Sequence, residues 1–318
     1  MLQKIFRNKL ILYKYMEIYY IKLAGGLCNK LFHLISACDI AIKEGKQILE
    51  PHFGWKKQIL FSDIYDIKYF NHMMKSYNND QDIMVSIKDK EDYTIIDINN
   101  VITEKYNYIN IDLTTISTNN LWTYSNYLLQ IQRNLNTIDL NDSIIAVLNS
   151  VKLNNYNIQF ANSIKQMHRK SGIHIRIEKD WKRYMAKKKC KIIKPCRLIK
   201  MYKKKFNHKV FFTTGENQRK IKKQFSNHNI QTQFFFNKEL EYEINAAINF
   251  ELCSKAKLFI GTTKSTFSNL ITLKRSLNNI NESYIYDNQT NIVKRIDKGL
   301  HCSVYNAINN EVSFTNII

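Results

Sequence analysis

Residues 19–24, Tyr-Tyr-Ile-Lys-Leu-Ala, form an apolar run that stops at Gly25-Gly26, and beyond it Leu31, Leu34, Ile35, Cys38 and Ile42 recur at three- and four-residue spacing. The first pattern predicts a strand and the second a helix with one apolar stripe, because side chains alternate along a strand and return about every 3.6 residues around a helix. Gly45 is placed to cap that helix, and residues 47–49 read as a second short strand before Pro51. Strand, glycine turn, helix and strand make a βαβ unit, which implies a parallel sheet covered on both faces.

Further along, residues 92–97 predict a strand, 121–135 a helix with Leu128, Leu129 and Ile131 on one side, and 143–153 another helix. The polar stretch Asn154-Asn155-Tyr156-Asn157 is the candidate boundary between two domains, 1–157 and 158–318. Past it the alternation returns: strands at 171–177, 209–214, 233–236 and 257–261, with helices at 218–225, 240–252 and 266–277. Repeated β-turn-α in both halves predicts an α/β fold of two doubly wound, Rossmann-type domains facing a cleft. Ligands of such sheets lie beyond the carboxyl ends of the strands, so three turns become candidates together: 25–29, 174–180 and 261–268.

Composition narrows the class. Of 318 residues 44% are hydrophobic and 12% aromatic, too many for a disordered chain, while 8 Gly and 2 Pro exclude collagen-like and Pro-rich scaffolds. No stretch approaches the roughly 18 apolar residues that a membrane span needs. The first 20 residues are broken by Lys4, Arg7, Lys9, Lys14 and Glu17, so no signal peptide is expected and the expected location is cytoplasmic. Six scattered cysteines without a C-x-x-C read as free thiols in a reducing compartment, and no metal site is expected. The net charge of +21, 39 of whose 48 basic residues are lysine, invites a nucleic-acid reading. The abundance of Lys, Asn, Ile and Tyr is equally what AT-rich coding yields, so anionic partners are favoured without nucleic acid being singled out.

The densest chemistry is His174-Ile-Arg176-Ile-Glu-Lys-Asp180-Trp181. On a strand His174 and Arg176 project from the same face, and the planar guanidinium fork suits two phosphate oxygens. The same residues would also serve as a structural ion pair beside a satisfied histidine. Gly261-Thr-Thr-Lys-Ser265-Thr266-Phe267-Ser268 carries a strand into a hydroxyl-rich helix start, which can cap the helix or cradle a diphosphate. Asp80-Gln81-Asp82 sits in polar sequence and reads as a solvated loop, His33 as a packed histidine, and Glu239, Glu241 and Glu243 as an exposed helix start.

Gly25-Gly26-Leu-Cys-Asn29 before a helix, His174-x-Arg176 followed by Asp180-Trp181, and Gly261-x4-Thr266-Phe267-Ser268, in that order, resemble the GDP-fucose-dependent fucosyltransferase superfamily, which includes the α1,2-, α1,6- and protein O-fucosyltransferases. The resemblance runs from about Ile21 to Leu277 and implies a GT-B-like fold, with an acceptor-side N-terminal domain and a nucleotide-sugar-binding C-terminal domain. It implies inverting transfer of fucose from GDP-fucose to a glycan or protein hydroxyl, with no cofactor and no metal. Arg176 would stabilise the diphosphate leaving group and Asn29 would face the donor from the opposite domain, these two being the catalytic candidates. Gly25, Gly26, His174, Asp180, Ser265, Thr266 and Phe267 would bind substrate. The sequence departs from the family pattern at Cys28, where Gly is usual, at Lys30, where Gln is frequent, and at Thr214-Gly215, a turn where relatives often carry Asp. For the base that accepts the acceptor proton, Glu178, Asp39 and Asp63 are candidates. Two other readings stand beside this one: the same fold with a different sugar-nucleotide donor, and an inactive basic protein binding nucleic acid or another anion.

Overall fold

The computed structural model describes residues 16–54, 57–88, 93–98, 142–187, 192, 194–203, 209–262, 265–280, 282–286 and 292–294. The helix expected at 121–135, most of the basic run at 187–191, Cys190 and Cys302 lie outside these residues.

Strand β1 (Met16–Tyr20) is followed by helix α1 (Leu27–Glu44), β2 (Gln47–Leu49), two short helices α2 (Phe61–Ile64) and α3 (Ile67–Met74), β3 (Met84–Val85) and β4 (Tyr93–Asp97). The four strands form a sheet in the order β3-β2-β1-β4, parallel throughout. β1 ends four residues before the expected Ala24, because its partner β4 ends at Asp97, opposite Tyr20. Helix α1 stops as expected: Gly45 takes the left-handed conformation, φ 59°, its amide donating to Ile42 O at 3.2 Å and that of Lys46 to Ala41 O at 2.8 Å.

Helix α1 is buried nearly all round, Lys30, His33 and Asp39 included, so the single stripe read from its spacing understates what it packs against. One face lies on the first sheet, and others meet α4 (Asp142–Ser150) and α10 (Thr266–Leu277). Such a helix is a core helix, not an amphipathic surface one. Helix α4 ends at Ser150, short of the expected 153. Residues after it peel away to pair with 64–66, with Asp66 N–H donating to Lys152 O at 2.9 Å and Asn154 N–H to Ile64 O at 3.1 Å. Asn154 then caps α5 (Asn155–Ser163), and fully buried Asn157 donates to Asp63 O and Ile64 O, tying the polar stretch to the end of α2.

The second half contains β5 (Ser171–His174), α6 (Lys179–Lys187), α7 (Pro195–Tyr202), β6 (Val210–Thr213), α8 (Gln218–Ser226), β7 (Thr232–Gln233), α9 (Tyr242–Ser254), β8 (Leu258–Thr262), α10, β9 (Ser283–Tyr286) and β10 (Ile292–Lys294). Its sheet runs β10-β9-β8-β5-β6-β7, parallel except for the edge strand β10. Period two is visible on β5 and its extension: Ile173, Ile175 and Ile177 enter one apolar cluster with Val210 and Phe212, and His174 and Arg176 face the other way. The largest apolar cluster joins the halves, running from α1 and the first sheet to α9, α10, Phe211 and Phe259. Arg275, fully buried, is satisfied by Ser283 Oγ and by the carbonyls of Ser254, Ala256 and Lys257, which fastens the end of α10 to the α9–β8 turn.

Glu243 is not on an exposed helix start: it is 4% exposed and pairs with Lys30 of α1, because α9 turns its first face toward the other half of the chain. Glu239 is exposed as expected, and Asp80 and Asp82 are exposed on a loop.

Candidate active site

The three candidate turns converge. Gly26, Cys28 and Asn29 from the start of α1, His174 at the end of β5 with Arg176, Glu178 and Asp180 after it, and Thr266 and Phe267 from the start of α10 line one cleft between the two sheets. All three follow the carboxyl ends of parallel strands, which is where strand order places ligands in such folds.

Gly25 has φ +80°, and a Cβ there would collide with the Asn29 side chain, so only glycine lets the chain turn under that amide. Gly26 caps α1 without a side-chain hydrogen bond. The first amides of the helix, from Leu27 to Asn29, belong to residues that line the cleft and have no intrahelical acceptor. Asn29 Oδ1 is buried with no hydrogen-bond partner among the described residues. Beside it, Cys28 is a buried, packed thiol, and burial pushes it well above its ordinary range, with Arg176 pulling the other way. His33 accepts from the Ala24 amide at 3.2 Å, and burial, with Lys30 adding, pushes its pKa down to about 4.

Across the cleft, Ser265 is fully buried and supports two neighbours at once. Its Oγ accepts from Arg176 Nη1 at 3.3 Å and from the Ser268 amide at 3.4 Å, the latter as an N-terminal cap for α10. Arg176 is held further by Asp180 at 3.3 Å, Glu178 at 3.9 Å and the face of Trp181, 4.7 Å from the guanidinium carbon. The cap and cradle readings of this helix start are thus compatible: Ser265 caps, while the amides of Thr266 and Phe267 keep no intrahelical acceptor.

His174 lies 2.8 Å from Ser268 Oγ, which itself accepts from the Thr262 amide at 3.0 Å. Burial, with the Arg176 charge adding, pushes its pKa down to about 3, so it is a neutral ring at physiological pH. Its ring packs 4.8 Å from that of Phe267.

Of the residues singled out from the sequence, the cleft wall contains Gly26, Asn29, His174, Arg176, Asp180, Thr266 and Phe267. Gly25 and Ser265 are not on it: Gly25 leaves room for the Asn29 side chain, and Ser265 holds Arg176. Among the candidate bases, Asp39 is buried against Lys43 and Ser143, and Asp63 accepts from the Leu60 amide at the start of α2. Glu178 alone of the three lines the cleft; burial raises its carboxyl above the usual range, while Arg176 and the Gly215 amide, 2.6 Å away, oppose the rise. Thr214 and Gly215 also line the cleft, as do Phe235, Phe236, Tyr242, Asn245 and Asn249 from the β7–α9 segment, which no motif announced because they come from a loop and the side of a helix. Among the described lining residues Arg176 is the one cation, against Glu178 and Asp180, so the +21 charge of the chain is not concentrated here. Lys179, Lys182 and Arg183 are solvated on α6. Among the described residues no group of three His, Cys, Asp or Glu side chains is placed to hold a metal, and no helix is long and apolar enough to cross a membrane.

No family model matches the sequence, and no curated protein matches it. The fold is similar to that of POFUT1 in complex with GDP, with a TM-score of 0.54 at 11% identity over 86% of this chain and 99% of that one. It is similar also to POFUT1 in complex with GDP-fucose, with a TM-score of 0.52 at 9% identity over 82% and 94%. The Bradyrhizobium fucosyltransferase NodZ matches over 88% and 99%, with a TM-score of 0.49 at 12% identity. At these identities the likeness is one of fold: the chain is an α/β protein of GT-B type, two sheet halves facing one cleft.

Proposed function

We propose that the chain is an inverting glycosyltransferase that moves fucose from GDP-fucose to a glycan or protein hydroxyl. The observation that carries the reading is Arg176: a guanidinium fixed by Ser265, Asp180 and Trp181 in a cleft where the free amide ends of α1 and α10 also meet. Two positive helix ends and a permanently charged fork form a site for a diphosphate. In the reaction the sugar C1–O bond breaks, its electron pair stays on the diphosphate, and the acceptor oxygen bonds C1 from the opposite face while its proton passes to solvent. Negative charge grows on the leaving oxygen, and Arg176 with the Thr266 and Phe267 amides opposes it without reorganising. Asn29, across the cleft, supplies an amide to the donor's sugar or phosphate. The Gly215 turn, where the resembling families often carry Asp, still has a carboxylate against it, supplied by Glu178 from the segment between β5 and α6, which supports a guanine nucleotide as donor.

Calorimetric titration with GDP, GDP-fucose and UDP, with and without a chelator, tests the donor. GDP binding that ignores the chelator and exceeds UDP binding is expected, and Arg176→Ala is expected to lower turnover by about 10²–10³ while the protein stays folded. Preference for UDP, a requirement for metal, or full turnover by Arg176→Ala would each overturn the assignment.

A further inference from the structure

A chain of aromatic rings runs from the cleft to the outer surface, its middle rings Phe235 and Phe160 half-buried against the core. Phe235 and Phe236, after β7, and Tyr242, at the start of α9, line the cleft itself. Phe235 packs against Phe160 with ring centroids 6.1 Å apart, and Phe160 against Tyr156, one turn earlier on α5, at 5.3 Å. Tyr156 is 61% exposed, Tyr242 60% and Phe236 54%. Rings that serve only the core do not leave half their surface in water, where burying them would be favourable.

We propose that this track is the acceptor subsite and that its occupant is a neutral oligosaccharide; the proposal rests on the glycosyltransferase reading above. A pyranose has an apolar C–H face and a rim of hydroxyls. Aromatic rings take the first, as they take any flat apolar partner, and side-chain amides take the second as both donors and acceptors. Exposed Asn155 and Gln159 stand beside Tyr156 and Phe160 on α5, and Asn237 follows Phe236. Charge argues for a neutral ligand. In a chain of net +21, neither sign dominates here: the groove that Asn155 lines holds Lys152, Lys255 and Lys274 against Asp66 and Glu251, and the charges that follow Phe236, Lys238 and Glu239, are of opposite sign. The ring planes turn by 60° and 81° from one to the next, so a flat apolar partner meets them singly, whereas a chain of sugar rings can turn at each glycosidic bond. Continuity sets the direction: an acceptor lying along the track delivers its end to the wall that contains Arg176.

The test is retention of labelled full-length protein on an array of neutral oligosaccharides, sialylated oligosaccharides and peptides, comparing wild type with Tyr156→Ala and Phe236→Ala. Each sample is also scanned for the thermal shift that GDP induces. Neutral glycans are expected to be retained, with retention weakened about fivefold in Tyr156→Ala, in keeping with the worth of one stacking ring, and with the GDP shift unchanged in that variant. Retention of no glycan, of peptides or sialylated glycans alone, or of the same glycans equally by Tyr156→Ala would overturn the track even if GDP binds. Glycan retention with no GDP shift would support the track and overturn the donor assignment instead.

Discussion

Lys30 Nζ lies 3.0 Å from Glu243 Oε1, with the two side chains 3% and 5% exposed, so a buried ion pair bridges the first helix of one half and α9 of the other. Lys30 also donates to the Phe53 carbonyl. Each partner is next in sequence to a cleft residue, Asn29 on one side and Tyr242 on the other. The pair therefore sets the spacing of the two cleft walls. Lys30 takes its counter-ion from 213 residues away.

Removing one charge strands the other. Glu243→Ala is expected to cost about 3–5 kcal/mol in urea unfolding, whereas Lys30→Met combined with Glu243→Leu is expected to unfold near wild type, because desolvation offsets most of the attraction within a buried pair. A double variant as unstable as the single would show that the pair is a net stabiliser and contradict this account.

Ser265→Ala removes both the α10 cap and the acceptor for Arg176 Nη1. The expected stability loss is about 1 kcal/mol, the usual worth of a cap. GDP affinity is expected to fall as well, since the guanidinium loses one of its supports. Unchanged affinity in a titration would separate the cap from the site.

Gly215 is required by the side chain beside it. A Cβ there would meet Glu178 Oε1 at 2.7 Å and Cγ at 2.8 Å. Gly215→Ala is expected to displace the Glu178 carboxylate and weaken GDP binding, and Glu178→Ala to weaken it by itself. Because the two act through one contact, the double variant is expected to lose less than the sum of the singles. Additive losses in that cycle would mean that they act apart.

Acid weakens the fold through its buried histidines. His174 and His33 bind protons less readily folded, at about 3 and about 4, than unfolded, at 6.5. The unfolded chain therefore takes up protons first as pH falls, so the stabilisation is complete above about pH 6.5 and declines below it. Each histidine adds a slope of at most about 1.4 kcal/mol per pH unit, ending near its folded value. His174→Gln is expected to reduce that slope in denaturation curves between pH 6.5 and 4; an unaltered slope would mean that its ring is not buried neutral.

Local signals made a good part of this protein legible. The helix after Gly25-Gly26, its stop at Gly45, the 266–277 helix and the alternation of Ile173, Ile175 and Ile177 against His174 and Arg176 depend on neighbours within a few residues, and a sequence displays those directly. The order of the three turn motifs pointed to the fold for the same reason, since the ends of parallel strands gather on one side of a sheet.

What the sequence did not decide was burial at long range. Its pattern shows that Glu243 begins a helix, but not that the helix turns this carboxylate onto Lys30, because the periodicity of one segment contains no information about the segment it will face. Ser265 behind the cleft wall rather than on it, Glu178 at the Gly215 turn and the aromatic track from Phe235 to Tyr156 are likewise products of contacts between distant residues. The chain's local chemistry determined which elements form and which turns carry charge. Only the packing of the two halves determined which of those charges meet, because pairing energies depend on distance and desolvation, and both are properties of the folded whole.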